Sequence, residues 1–192
     1  MLLIISHISQ LFLPFGLKLS RPKTKSQLIL QWFCYIMCVF AFFDVSLCVM
    51  KEPHFWLYHI YAPVELFFMS LVVLTLYELN DKETTNYIIL SSIGGFLAFV
   101  IDFIFNDIHE LDKMLMTIEG FAILLMIGGI LYIHKDIDFS LKDYRTYALS
   151  GIAVYLLLNV LTYPEYHTIS NIILNTFLLI SLLMVNYERQ TL

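Results

Sequence analysis

The sequence is poor in charged residues, which make up 14% of its 192 positions, whereas 59% of its residues are hydrophobic. Soluble domains contain about 25% charged and about 45–50% apolar residues. A soluble domain of this size has too little interior for so many apolar side chains, because small domains have a large surface for their volume. The composition therefore argues against a soluble domain and favours a protein that is embedded in lipid.

Basic residues and cysteines are also scarce. The chain has 11 basic and 16 acidic residues and a net charge of −5, and it lacks a basic patch that could follow a phosphate backbone. We therefore expect no nucleic-acid partner. The three cysteines, Cys34, Cys38 and Cys48, fall in one apolar stretch. An odd number of cysteines in hydrocarbon argues against a disulfide framework, so they are interpreted as small hydrophobic residues.

Motifs that are typical of enzymes are missing as well. The sequence contains no His-Glu-x-x-His pair, no Gly-rich phosphate loop and no nucleophile elbow. We therefore expect no catalytic residue, metal site or cofactor, which favours a protein that is not an enzyme. No Gly/Ser linker or internal repeat divides the chain, and a single domain over residues 1–192 is predicted.

Long apolar runs predict an all-α bundle of seven transmembrane helices. About 20 apolar residues cross the hydrocarbon core, and continuous runs favour helices over barrel strands. The predicted spans, numbered one to seven, cover residues 2–17, 27–50, 55–78, 87–105, 112–133, 146–163 and 168–187. Span one is expected to end at Pro14-Phe15-Gly16, and the polar residues 80–86 are expected to form a turn. A signal peptide is the alternative for the first run, although a basic start and a cleavage site are missing.

Positive charge predicts the orientation of the bundle. With the N-terminus outside, nine basic residues fall on the cytoplasmic side and only Lys51 and Lys113 fall outside. Short loops rich in lysine and arginine stay in the cytoplasm. The C-terminus is therefore predicted to be cytoplasmic and the protein to lie in the cell (inner) membrane. We expect the lipid bilayer as a partner, a cytoplasmic protein bound to the loop 134–145, and self-association into a homo-oligomer.

Small residues predict where the helices approach one another, because helices in lipid associate through close packing. One predicted seam is the face of span four that carries Ser91, Gly95, Ala98 and Asp102. A second follows Cys34, Cys38, Ala41, Val45 and Cys48 in span two, and a third lies at Gly128-Gly129 in span five.

Carboxylates inside the spans mark the candidate functional site. The four are Asp44, Glu65, Asp102 and Glu119. An ionised carboxylate at mid-membrane costs about 2.5–3.5 kcal/mol on insertion scales, so such residues usually face the bundle interior or line water. Asp44 and Asp102 fall near the outer ends of their spans. Glu65 and Glu119 lie deeper and are therefore the stronger candidates.

Other polar residues recur at helical spacing, mostly towards the outer side of the bundle. The predicted ligand-binding or proton-handling residues are Glu65, Glu119, Tyr58, Tyr61, His59, Asn159, Asn171, Asn175 and His167. Asn159 shares a helix face with Tyr155, and Pro63 is predicted to kink span three. The alternative is that these groups only join helices through hydrogen bonds, which contribute about 0.6 kcal/mol each on average.

Residues 55–65 (FWLYHIYAPVE) resemble a recurring element of a group of uncharacterised bacterial seven-helix membrane proteins. The Asn171-x-x-x-Asn175 spacing and the Leu13-Pro14 pair are also similar to that group. The resemblance implies the seven-helix topology and points to Tyr58, His59, Tyr61, Glu65 and the two asparagines just named. It implies no chemistry, because the group has no assigned function.

Three functions are compatible with these features. The first is a sensor or ligand-binding protein with an outward-facing polar pocket that signals to a cytoplasmic partner. The second is a small proton-coupled transporter that uses Glu65 beside Pro63 and opposite Glu119. The third is an intramembrane metal-dependent lipid hydrolase similar to the ceramidase superfamily. Asn171 and Asn175 stand where that superfamily has histidines, and amides are poor zinc ligands.

Overall fold

Seven α-helices make up the part of the molecule that the computed structural model describes, residues 9–50, 55–76, 81–105, 113–133, 140–141, 143–162 and 167–191. They are α1 (Leu13–Leu19), α2 (Lys25–Met50), α3 (Phe55–Thr75), α4 (Asp81–Phe105), α5 (Lys113–Ile133), α6 (Tyr144–Thr162) and α7 (His167–Thr191). These residue ranges contain no strand. The prediction of an all-α fold with seven helices is therefore confirmed.

Two of these helices are long and apolar enough to cross a membrane, namely α2 and the segment Tyr144–Leu161 of α6. Shorter apolar segments occur in four others, at His59–Thr75, Thr85–Ile101, Gly120–Tyr132 and Ile169–Val185. A buried helix of a soluble protein or a signal sequence also meets this criterion. The membrane-spanning bundle therefore remains a prediction at this point.

Two helices extend beyond the predicted spans into polar segments, α4 at its start and α7 at its end. Helix α4 begins at Asp81, so the turn predicted at residues 80–86 is wrong from residue 81 onward. Helix α7 continues to Thr191, four residues beyond the predicted end of span seven. Lysine, glutamate, glutamine and arginine are good helix formers. Helices α4 and α7 can therefore extend beyond their apolar runs into these polar residues.

Helix α1 begins where span one was expected to end. Residues 1–8 lie outside the described part, residues 9–11 are helical, and a turn at Phe12 leads into α1. Pro14 occupies the first turn of α1, where a missing amide hydrogen costs little. A Cβ at Gly16 would lie 2.9 Å from the Cβ of Leu182 in α7. The segment Pro14-Phe15-Gly16 therefore starts a helix and a helix contact.

The helices form a ring with one helix outside it. Helix α1 packs on α2, α2 on α3, α3 on α5, α5 on α6, α6 on α7, and α7 on α1. Helix α4 packs mainly on α3, outside the ring. The core between the ring helices includes Phe33, Met69, Ile123, Ile152 and Leu178, which are all nearly inaccessible. Helix α3 thus faces the interior on one side and α4 on the other.

The predicted seam on span four is confirmed for three of its four residues. Ser91, Gly95 and Ala98 are buried, whereas the side chain of Asp102 lies outside the described part. A Cβ at Gly95 would lie 3.2 Å from both the Cβ of Phe67 and the carbonyl oxygen of Pro63. The absence of a side chain at Gly95 therefore allows the backbones of α3 and α4 to approach closely.

Of the other two predicted seams, one is confirmed in part and the other is wrong. Cys34 and Ala41 are buried in α2, but Cys48 is exposed, so that seam covers only part of the helix. Gly128 and Gly129 are exposed, and a Cβ at either would meet no atom within 4 Å among the described residues. The contact predicted at these two glycines is wrong. Residue size shows where a helix can approach another, but not whether a neighbour is present.

Candidate functional site

Glu65 lies at the middle of α3, ten residues from either end of the helix. At 1.5 Å per residue, each end is about 15 Å away along the axis. The side chain is buried, with 7% of its surface exposed. The hydroxyls of Tyr61, one turn earlier in α3, and of Tyr155 in α6 hydrogen-bond to its carboxyl group. Its Oε1 atom is buried and has no hydrogen-bond partner within the described ranges.

A cavity of about 20 Å³ adjoins this carboxyl group between α3, α5 and α6. Its polar lining comes from Glu65, Tyr155 and Asn159, and the rest of the lining is Leu66, Met69, Gly120, Ile123 and Leu156. A space of this size holds about one water molecule. The cavity is therefore suited to a proton carried by water or to one small ion, and is too small for an organic solute.

Asn159 extends the polar site towards one end of the bundle. It lies one turn after Tyr155 in α6, and its Oδ1 accepts a 2.8 Å hydrogen bond from the Oγ of Ser170 in α7. Asn159 and Tyr155 lie three and seven residues before the end of α6, or about 5 and 10 Å from it. Polar groups thus extend from Ser170 to Glu65, which lies about 15 Å along α3 from either end of that helix.

The other candidates in α3 lie close to Glu65 in the chain. Tyr61 is half-buried, and its ring contacts Phe40 of α2 with the ring centroids 4.9 Å apart. His59 is buried, and α3 continues without a break through Pro63. The side chains of three candidates, Tyr58, Glu119 and His167, lie outside the described part, although their backbones are helical.

Asn175 lies apart from the cavity. It is 1% exposed, and its Nδ2 donates a 2.8 Å hydrogen bond to the Oγ of Ser9. Its Oδ1 has no partner among the residues that the structure describes. Asn171, one turn earlier, is half-buried. The structure therefore brings together Glu65, Tyr61 and Asn159, while Asn175 connects α7 to the segment that precedes α1.

Tyr155 and Ser170 are the two site residues that were not named as candidates from the sequence. Tyr155 is 2% exposed and stands four residues before Asn159, so the helical spacing was an available signal. Ser170 is fully buried and had no such signal, because one serine in an apolar helix is common. Its role became evident only from the packing of α7 against α6.

A second hydrogen-bond cluster fixes the opposite end of α6. The buried Tyr144 shares a 2.9 Å hydrogen bond between its hydroxyl and the Oγ of Ser26 in α2. The Oγ of Ser181 in α7 donates a 2.7 Å bond to the carbonyl oxygen of Tyr144. Next to it, Arg145 forms a salt bridge with Asp143 at 2.7 Å. Helix α6 therefore joins the Glu65 site to this cluster, over about 16 Å between Tyr144 and Tyr155.

The described residues contain no group of three or more histidine, cysteine, aspartate or glutamate side chains that could hold a metal ion. No protein-family model matches the chain, and neither a curated protein nor a solved structure is significantly similar to it. The resemblance to bacterial seven-helix proteins therefore remains a prediction. The function has to be inferred from the chemistry of the site.

Proposed function

We propose that the chain is a multi-pass protein of the cell (inner) membrane and that it senses protons through Glu65. The surface supports the membrane location. Most apolar residues of α4 point away from the bundle, among them Ile89, Phe96, Phe103 and Ile104, each more than half exposed. A soluble monomer rarely exposes such a large apolar surface, whereas lipid is the ordinary environment for it.

Helix length supports the same proposal. Helices α2 to α7 contain between 19 and 26 residues. At 1.5 Å per residue they are about 28 to 39 Å long, which matches a hydrocarbon core of about 30 Å. Helix α1, with 7 residues, is too short to cross by itself. Six crossings would leave the predicted orientation of spans two to seven unchanged.

The buried carboxyl group of Glu65, held by two tyrosine hydroxyls beside a cavity for one water molecule, is the observation that carries the proposed sensing function. A charged carboxylate at this depth is costly, so gain or loss of one proton changes the energy of the bundle. The cavity volume favours a proton over the larger polar ligand that the sequence also allowed.

Helix α6 provides the route from Glu65 to the cytoplasmic side. An ionised carboxylate only accepts hydrogen bonds, whereas a protonated one also donates. Proton uptake therefore changes the bond between Glu65 and Tyr155, and with it the preferred position of α6. The loop 134–145 leads directly into α6 and is the proposed contact for a cytoplasmic partner. Residues 134–139 and 142 of this loop lie outside the described part.

The membrane location is tested first. We expect the chain to remain in membranes after alkaline carbonate washing and to need detergent for solution. A cysteine introduced as Lys142→Cys, in a protein that also carries Cys48→Ser to remove the exposed native thiol, should react with an impermeant maleimide only from the cytoplasmic side. Release of the chain into plain buffer, or labelling from outside, would contradict the proposal.

The proton site is tested with Glu65→Gln, which keeps the size and most hydrogen bonds of the side chain but cannot exchange a proton near neutral pH. Infrared difference spectra of the protein in lipid, recorded across a pH step, should lose one carboxyl C=O band in this variant. The matched control is Asp44→Asn, which changes another buried carboxyl group, in α2. If Glu65→Gln keeps every band that the unaltered protein shows, Glu65 is not the proton site.

The signalling step needs its own readout. We expect the normalised rate of maleimide labelling at Lys142→Cys, which is the measured rate divided by that of a free thiol at the same pH, to depend on pH in the unaltered bundle. The division is needed because only the thiolate reacts, so every raw labelling rate rises with pH. The same dependence should be abolished by Glu65→Gln and retained by Asp44→Asn. A normalised rate that follows pH equally in all three proteins would separate the loop from the Glu65 site and refute signalling through α6.

A proton-coupled transporter is the second candidate, and the polar groups that lead from Ser170 to Glu65 favour it. In that case, liposomes that contain the protein would take up protons down an imposed pH gradient. The flux would disappear with Glu65→Gln and persist with Asp44→Asn. Measurable flux of this kind would replace the sensor as the proposed function. No group of metal-binding side chains among the described residues favours the metal-dependent hydrolase.

A further inference from the structure

An open groove lies on the outer surface of the bundle, at the junction of α1 and α2. Its volume is about 360 Å³, and it is lined by Leu17 of α1 and by Leu28, Gln31, Trp32 and Tyr35 of α2. The residues from α2 recur every three or four positions and therefore share one face of the helix. Leu28, Trp32 and Tyr35 are about half exposed, so the described helices leave the groove uncovered.

The connection between α1 and α2 lies at the end of the groove that is nearest to the start of α2. The Nε2 of Gln31 donates hydrogen bonds to the carbonyl oxygen of Ser20 at 2.9 Å and to its Oγ at 2.6 Å. One turn earlier, the Oε1 of Gln27 accepts a 2.8 Å bond from the backbone N–H of Lys23. Two glutamines of α2 thus hold this connection against the helix, and the groove has a defined shape.

Three basic residues lie close in the chain to Leu17 and Ser20, which are at this end of the groove. Lys18, Arg21 and Lys23 are exposed on the connection or at the end of α1. No acidic residue precedes Asp44 in the sequence, so no carboxylate from this part of the chain neutralises them. The aromatic residues lie below the charges, with Tyr35 ten residues after the start of α2, or about 15 Å along the axis. This distance corresponds to about one leaflet of the hydrocarbon core.

We propose that the groove binds one anionic phospholipid of the cytoplasmic leaflet. Lys18, Arg21 and Lys23 hold the phosphate, and an acyl chain lies along Leu28, Trp32 and Tyr35. Two features support this occupant: the basic residues complement its charge, and basic pockets beside transmembrane helices bind anionic headgroups. The proposal rests on the membrane location proposed above, and in particular on residues 18–25 being cytoplasmic.

The test compares two lipids that differ only in headgroup charge. Detergent-solubilised full-length protein is titrated with phosphatidylglycerol or phosphatidylcholine of the same acyl chains, and bound lipid is counted by native mass spectrometry. We expect one phosphatidylglycerol to bind about tenfold more tightly than phosphatidylcholine, because each basic residue near the headgroup favours the anion. Equal affinity for the two lipids overturns the proposal without the need for any variant.

Two pairs of variants then locate the bound lipid. Lys18→Gln with Arg21→Gln should abolish the preference for phosphatidylglycerol, while the control Lys135→Gln with Lys142→Gln removes the same charge from another predicted cytoplasmic loop and should keep it. A preference that is lost equally in both pairs reflects net charge alone and overturns the site.

The apolar part of the groove has a matched control on the same helix. Trp32→Ala with Tyr35→Ala should weaken phosphatidylglycerol binding about tenfold, whereas Phe42→Ala with Phe43→Ala, also more than half exposed and further along α2, should leave it unchanged. Equal effects of the two pairs overturn the groove as the binding site. Failure of the membrane location is a separate result, because the chain would then be soluble without detergent.

Discussion

Gly151 offers a sharp test of how α6 packs against α7. A Cβ at this position would lie 2.5 Å from the Cβ of Phe177 and 3.2 Å from its Cγ. Carbon atoms pack at about 3.5–4.0 Å, so Gly151→Ala requires the two helices to separate by about 1 Å. The Cβ atoms are fixed to their backbones and cannot rotate away. Overpacking costs about 1–3 kcal/mol, and this geometry corresponds to the upper part of that range.

Alanine also has a favourable effect that must be subtracted. Replacing a helical glycine recovers about 0.5–1 kcal/mol of backbone entropy, which leaves a net destabilisation of about 2 kcal/mol for Gly151→Ala. For a chain of this size, the melting temperature should fall by about 4–8 °C. Gly128→Ala is the matched control, because its Cβ would meet no described atom within 4 Å. It should raise the melting temperature by about 1–4 °C.

The assay uses the buried thiol of Cys34, which is inaccessible in the folded protein. Thermal unfolding in detergent exposes this thiol to a maleimide dye that becomes fluorescent on reaction. Cys48 is exposed, so all proteins carry Cys48→Ser to lower the initial signal. Opposite shifts are expected for the two glycine variants. If Gly151→Ala melts at or above the temperature of the parent protein, the close packing of α6 on α7 is refuted.

Two further predictions concern other helix contacts. Tyr144→Phe removes the hydroxyl that bonds to Ser26 and should lower the free energy of unfolding by about 0.5–1.5 kcal/mol; a double variant with Ser26→Ala should lose less than the sum of the single changes in the same dye assay. Gly95→Ala should destabilise the bundle by about 1 kcal/mol, because the new Cβ lies 3.2 Å from Phe67 and the Pro63 carbonyl. Additive losses in the first case, or a gain in stability in the second, would contradict these contacts.

Helices α2 to α7 could be predicted from the sequence because each contains a long apolar run. Helix α1 could not, since Leu13–Leu19 begins where the first apolar run was expected to end. Helix ends could not, since the start of α4 at Asp81 lies in a polar segment without an apolar pattern. Periodicity also identified the buried face around Gly95. It failed at Gly128, because a helix face of small residues packs only where another helix happens to lie, and that depends on the whole arrangement.

The same distinction applies to the candidate site. Glu65 and Asn159 could be predicted, because a polar side chain within an apolar span usually has a reason to be there. The contact of Glu65 with Tyr155 could not, since it joins helices far apart in the sequence. Asn175 illustrates the limit most clearly, because its partner Ser9 is 166 positions away. Spacing along one helix says which side chains share a face and nothing about the residue opposite.

The ring of helices has a consequence for how the protein is made. Helix α1 is synthesised before the five helices that separate it from α7, yet Gly16 of α1 packs directly against Leu182 of α7. The ring therefore cannot close until translation has passed α7, and until then one flank of α1 faces whatever else is nearby. A nascent chain halted before α7 would present this flank to lipid, to an insertion chaperone or to a second nascent chain.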